Sequence, residues 1–193
     1  MRAIALLLAA LIAATGCGDD DERSGSPDPA TERSDRPAKP PPGWKTFANR
    51  RAGFTLSLPP GWRARTRGSA TLIRSGDRLL ALTVAADRSE AGRELRPRRY
   101  ARRAFRALPG FRRLRRTGTR SVRGSPYPTA RVEGRGTLAR RRQRQQITVA
   151  VFRRPGRVTY AAVAFAARAG GVAAHAAPLN TVLASLRARR PAL

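Results

Sequence analysis

The stretch "GFTLSLPPGW", Gly53 to Trp62, decides the fold class. Apolar and polar positions alternate through Phe54, Leu56 and Leu58, and the chain then meets Pro59, Pro60 and Gly61. A period of two puts the three apolar side chains on one face of an extended segment, so the stretch reads as a half-buried strand running into a turn. Downstream, "SATLIR" and "RLLALTVAAD" are separated by Ser75, Gly76 and Asp77 and form a hairpin. "YPTARVEGRGTL" and "QQITVAVFRRPGRVTYAAVAFAA" supply three further strands, the last two joined through Pro155 and Gly156, a pair suited to a type II turn.

Helical period appears twice. From Pro97 to Leu108 the apolar residues Tyr100, Ala101, Ala104, Phe105 and Leu108 share one helix face, with Pro97 in the first turn. Near the end, Leu179, Val182, Leu183 and Leu186 form a buried stripe behind Pro178. Strands interrupted by one helix and closed by another predict an α+β domain, an antiparallel sheet of about six strands with helices packed against it.

Upstream of this domain, Arg2 precedes "AIALLLAALIAA", which ends in the small residues Thr15 and Gly16 before Cys17. The apolar run is shorter than the roughly 20 residues a membrane-spanning helix needs, so it reads as a cleaved signal. "ATGC" resembles the lipobox of bacterial lipoproteins, with Ala14 where leucine is usual. That resemblance implies a diacylglyceryl group on the Cys17 thiol and cleavage just before it. The alternative is an ordinary secretory signal followed by an incidental cysteine. A lone cysteine permits no internal disulfide, and two acyl chains suffice as an anchor where one is marginal.

Residues 18–43 are acidic and rich in proline and serine, with no aromatic or branched aliphatic side chain to bury. As a flexible coil this tether spans roughly 30 Å. The expected organisation is a signal peptide at 1–16, lipidated Cys17 and tether to 43, one domain over 44–190, and a tail at 191–193.

The order of elements resembles the PsbP-like fold, including the LpqN-type lipoproteins of actinobacteria and the DcrB-type envelope lipoproteins. The carriers of the resemblance are "GFTLSLPPGW", "VRGSPYPTAR" from Val122 to Arg131, and "LNTVLASL" from Leu179 to Leu186. It implies an α/β/α sandwich and an extrinsic or adaptor protein that docks on partners. Gly61 and Trp62 then close a turn and fill a core edge.

Catalytic inventory is thin. The one histidine, His175, stands among alanines and reads as a helix-start or surface residue. One histidine and one cysteine do not make a zinc site, and neither a "GxSxG" elbow nor a glycine-rich phosphate loop is present. Asp87, Glu90 and Glu94 lead into an arginine-rich helix, where ion pairing accounts for them. The expectation is a protein without a catalytic site or a cofactor.

Charge is the stronger signal. Of 40 basic and 12 acidic residues, Arg2, Arg23, Arg33, Arg36 and Lys39 lie before the domain, as do seven acids (Asp19, Asp20, Asp21, Glu22, Asp28, Glu32, Asp35). The domain is left with 35 basic residues against five acids. GC-rich coding favours arginine over lysine but does not deplete acids. Three clusters stand out: Arg98, Arg99, Arg102, Arg103 and Arg106; Arg112, Arg113, Arg115 and Arg116; and Arg140, Arg141, Arg142 and Arg144. The last two are expected at strand ends or loops. Like charges four apart on the helix repel by about 0.2–0.5 kcal/mol per pair. A solvated face kept soluble by charge is the plain explanation; a polyanion covering the face is the functional one.

For an exported, membrane-anchored domain the polyanions at hand are anionic lipids, cell-wall polymers and acidic envelope proteins; nucleic acid is not among them. The first expectation is therefore a lipid-anchored, extracytoplasmic docking protein. The second is a carrier whose cleft between sheet and helix, lined by Trp62, Tyr100, Phe105 and Tyr160, holds a hydrophobic or lipid ligand.

Overall fold

Strand pairing sorts the apolar residues of this chain into two cores. The computed structural model describes residues 41–89, 94–139, 143–154, 158–166 and 171–189, with backbone alone at 143, 154 and 158–166. In chain order the elements are β1 (Lys45–Asn49), β2 (Phe54–Leu58), β3 (Arg63–Arg67), β4 (Ala70–Arg74), β5 (Leu80–Asp87), α1 (Pro97–Arg106), β6 (Phe111–Arg120), β7 (Thr129–Leu138), β8 (Gln143–Arg154), β9 (Val158–Ala166), α2 (Gly171–Ala174), α3 (Ala176–Ala184) and β10 (Arg187–Ala188).

Seven strands form one antiparallel sheet in the order β3-β4-β5-β9-β8-β7-β6, and β1-β2-β10 form a second of three. Alternation along β8 shows the sorting: Ile147, Val149 and Val151 point to one core, Ala150 and Phe152 to the other. On the first face lies α1, whose Tyr100, Ala101, Ala104 and Phe105 are buried against β7 and β8. Gly134 makes this close approach possible, because a Cβ there would stand 2.3 Å from Phe105 Cζ. On the second face lie β2, α2 and α3, through Phe54, Leu56, Leu58, Val172, Leu179 and Leu183.

Four expectations change. The sheet of about six strands is instead ten strands in sheets of seven and three, because β1, β3, β6 and β10 escaped the period-two reading. The α/β/α sandwich has helix alone on one face only; the small sheet shares the other face with α2 and α3. β2 is buried along its whole length rather than half-buried, since it is the central strand of the small sheet, and just before β10 begins, Ser185 Oγ accepts the Ser57 N–H at 2.8 Å. Finally, "FRRLRR" starts at the strand end as expected but is not confined to it: from Phe111, the first residue of β6, it fills the first six positions of the strand. There Arg113 adopts φ 52° and the pairing with β7 shifts twice, as bulges at a sheet edge do.

The hairpin, α1 and the strands β7, β8 and β9 lie where the sequence puts them. The terminal helix is two short pieces, α2 and α3, broken at His175. Cys17, the signal and nearly all the tether lie outside the described residues, as does the Pro155–Gly156 turn.

Candidate anion-binding surface

Helix α1 begins with Arg98 and Arg99 in its first turn, where the helix dipole disfavours cations, and no acid stands there. Its inner face is pinned by the Tyr100 hydroxyl, which donates to Asp87 Oδ2 at 2.6 Å. Burial, with that bond, pushes the Tyr100 phenol well above its ordinary range. Asp87 therefore serves α1 by a hydrogen bond, while Glu90 lies outside the described residues.

Edge strand β6 runs beside α1 and brings a fourth guanidinium to the helix row. Arg102 lies among Arg98, Arg116 and Arg106, and its pKa is lowered by desolvation first and then by repulsion from those three neighbours. Among the described residues, the buried Arg102 Nε has no acceptor and none of these four side chains makes an ion pair. The structure thus joins part of the first two predicted clusters into one surface on which no acid pairs with these four arginines among the described residues. Arg99 and Arg103 belong to α1 as well, and Arg140, Arg141 and Arg142 lie outside the described residues.

Cross-strand register places the remaining members on the opposite face of the sheet. Arg112 pairs through Thr137 with Arg144, and Arg115 pairs through Arg135 with Gln146. Residues opposite one another share a face, so Arg112, Arg115, Arg135 and Arg144 stand together there.

That face leads inward to a cleft of about 250 Å³ between β6, β7, β8 and α2, lined by Arg120, Arg131, Glu133, Arg135 and Gln146 among others. None of Arg120, Arg131 and Arg135 was singled out from sequence. Their signal was available in "RVEGR", where Arg131, Glu133 and Arg135 alternate and so share one strand face. Arg131 is only 6% exposed. Its Nη2 lies 2.9 Å from Glu133 Oε1, its Nη1 donates to Asn180 Oδ1 on α3, and Arg120 Nη2 reaches the same Glu133 oxygen at 2.6 Å.

His175 behaves as a helix-start residue. Its Nδ1 lies 2.9 Å from the Gly171 carbonyl, its Nε2 lies 3.0 Å from Asp77 Oδ2, and Trp62 meets its ring edge-on. The Ser75 hydroxyl donates to the same carboxylate at 2.6 Å. Asp77 thus stands between serine and imidazole, so the imidazole is not placed to take the hydroxyl proton. The three groups clamp the β4–β5 turn onto the α2–α3 junction.

The aromatics expected in a carrier cleft are not brought together. Tyr100 and Phe105 pack in the core under α1, Trp62 packs at the edge of the other core, and the Tyr160 side chain lies outside the described residues. Among the described residues no helix is long and apolar enough to cross a membrane, and no cluster of metal-ligating side chains occurs.

No protein-family model matches the chain and no curated sequence is similar to it. Solved structures do share its fold. The Ran-binding protein Mog1p of Saccharomyces cerevisiae superposes with a TM-score of 0.51 at 11% identity, over 76% of this chain and 95% of its own. The PsbP protein CyanoP of Synechocystis gives 0.50 at 12%, over 78% and 97%. A protein of Bacteroides thetaiotaomicron gives 0.50 at 13%, over 76% of this chain, which spans about half (48%) of that protein. The fold is PsbP-like, and at such identities the likeness extends to the fold alone.

Proposed function

We propose that this protein is a non-enzymatic lipoprotein of the cell envelope, anchored by lipid on Cys17, whose domain docks on an anionic surface or an acidic partner. The observation that carries the docking is the group of Arg98, Arg102, Arg106 and Arg116, without an ion pair among the described residues and drawn from a helix and an adjacent edge strand. Four like charges held together repel one another, and a polyanion is what turns that cost into attraction. Near an anionic leaflet each basic residue within screening distance contributes about 1 kcal/mol. The guanidinium fork suits phosphates and carboxylates alike. The anchor and the extracytoplasmic location rest on the sequence before Gly18: a short apolar run, small residues and a single cysteine.

The test uses the full chain with Cys17→Ser, so that acylation does not mask the docking. This protein is expected to sediment with vesicles containing anionic phospholipid, to be released by salt, and to lose that binding on reversal of Arg98, Arg102 and Arg106 to glutamate. Binding that ignores both salt and charge reversal would sink the docking reading. For the anchor, labelled palmitate should enter the wild type and not the Cys17→Ser chain.

A further inference from the structure

The cleft around Arg131 lies on the sheet face opposite the docking surface and is built differently. Arg131 is the one arginine among the described residues that is buried, and burying a guanidinium is costly unless its donors are met. They are met only in part. A single Glu133 oxygen is shared between Arg131 and Arg120, Asn180 takes one further N–H, and Arg131 Nε has no acceptor among the described residues. Burial and repulsion from Arg120 disfavour the charged form of Arg131, and Glu133 opposes them. Within the cleft lining Arg120, Arg131 and Arg135 stand against Glu133, an excess of two positive charges, and Arg115, opposite Arg135, adds to the field at its rim. Val172, Ala173 and Ala176 form the facing wall and lower the local dielectric, which concentrates the field in the opening.

From this geometry we infer that the cleft is a binding site for a phosphate monoester, with Arg120, Arg131 and Arg135 receiving the phosphate and the alanine and valine wall facing the carbon body. Three observations select that class. A monoester carries a charge of about −1.5 to −2 at neutral pH, which matches the excess, whereas a diester or a carboxylate carries half as much. Arg120 on β6 and Arg131 and Arg135 on β7 bring three guanidiniums from neighbouring strands to one cleft, and such groups suit the oxygens of a phosphate. At about 250 Å³ the cleft is below the roughly 300–1,000 Å³ of drug-sized sites, so it takes a compact group rather than a nucleotide cofactor. The site is independent of the docking surface, which faces the other way and whose arginines have no carboxylate partner among the described residues. Both a free sugar or glycerol phosphate and the headgroup of a monoester lipid present this chemistry.

The experiment titrates the full chain with Cys17→Ser with glycerol 3-phosphate at physiological salt, followed by calorimetry, with glycerol as the control. Saturable binding of one equivalent is expected, and none to glycerol. Arg120→Ala and Arg135→Ala, both at exposed positions, should each weaken it about tenfold, the loss of one charged hydrogen bond. Arg98→Ala and Arg116→Ala, on the other face, should leave it unchanged, so that the failure of either reading shows separately. Vesicles containing phosphatidic acid, compared with phosphatidylglycerol, identify the source: retention that Arg135→Ala abolishes points to a lipid headgroup, and retention it does not affect points to a soluble ester. No saturable binding, or binding that Arg120→Ala and Arg135→Ala both leave intact, overturns the site.

Discussion

Two groups of arginines flank the same sheet edge, one on each face, and they differ in what stands beside the charge. Around Arg102 three further guanidiniums gather from α1 and β6, with no ion pair to any of the four among the described residues. Around Arg131 a neighbouring residue of the same strand, Glu133, and a residue of α3, Asn180, take up donors and fix the fork. Arginine is thus a self-repelling burden in one place and, in the other, a fork held by Glu133 and Asn180 with its Nε left over among the described residues. The identity of the residue does not decide this; strand register and the helix packed above it do.

The largest effect separates the two regions by removing the support of one. Phe105→Ala deletes a buried ring, 3% exposed, that rests on Gly134 and holds α1 to the sheet. A loss of about 3–5 kcal/mol is expected in urea denaturation, with vesicle binding reduced as the α1 row disperses. The Arg131 cleft is held from the other face by α2 and α3, so phosphate ester binding should persist in whatever fraction stays folded. Loss of both activities in equal measure would show the two regions to be one.

Arg131→Leu comes next. It removes the bond to Asn180, an exposed residue whose side-chain oxygen can turn to water, and one of the two cations on Glu133. Glu133 is 30% exposed and keeps Arg120, which limits the damage, so a destabilisation of about 2 kcal/mol is expected from chemical denaturation. A neutral outcome would place Arg131 with the unpaired group instead.

How much of this contrast was legible in the sequence follows from which signals are local. Period two revealed Phe54, Leu56 and Leu58, and period 3.6 revealed Tyr100, Phe105 and the Leu179–Leu186 stripe, because each is written within one element. β3, "RARTR", and β6, "FRRLRR", were hidden because arginine is no strand former and the bulges of β6 break its alternation. Both are edge strands of the large sheet, where charge is an asset against edge-to-edge pairing. Arg98, Arg102 and Arg106 were readable as a helical row, whereas their meeting with Arg116 depends on β6 lying beside α1. The bond of Arg131 to Asn180 joins positions 49 apart in the chain, and no local pattern announces such a pair.

A smaller effect probes the inner face of α1. Tyr100→Phe removes the 2.6 Å hydrogen bond to Asp87 and should cost about 1 kcal/mol at neutral pH. It should also change the alkaline limb. Unfolded, the phenol ionises near 10.0; folded, burial and Asp87 push it higher, so above pH 10.0 the native state holds the extra proton and stability falls as pH rises. Melting temperature measured from pH 8 upward should therefore decline past that point more steeply in wild type than in Tyr100→Phe. Equal slopes would mean that the phenol is not sequestered under α1.

The smallest effect carries the opposite sign and tests the contrast most sharply. Arg102→Gln removes the like-charge contacts with Arg98 and Arg106, each worth about 0.2–0.5 kcal/mol, together with the repulsion from Arg116. Its shorter amide keeps part of the stem that packs beside the helix. The variant should therefore be more stable than wild type by about 0.5 kcal/mol at low salt, with the gain shrinking as salt screens the row in both proteins. At the same time it should bind anionic vesicles less well, since a charge that burdens the free domain is the one a polyanion rewards. Stability and docking moving in opposite directions at Arg102, against the plain loss of stability at Arg131, is what the neighbours of each guanidinium require. A destabilised Arg102→Gln would mean that an acceptor already satisfies this side chain.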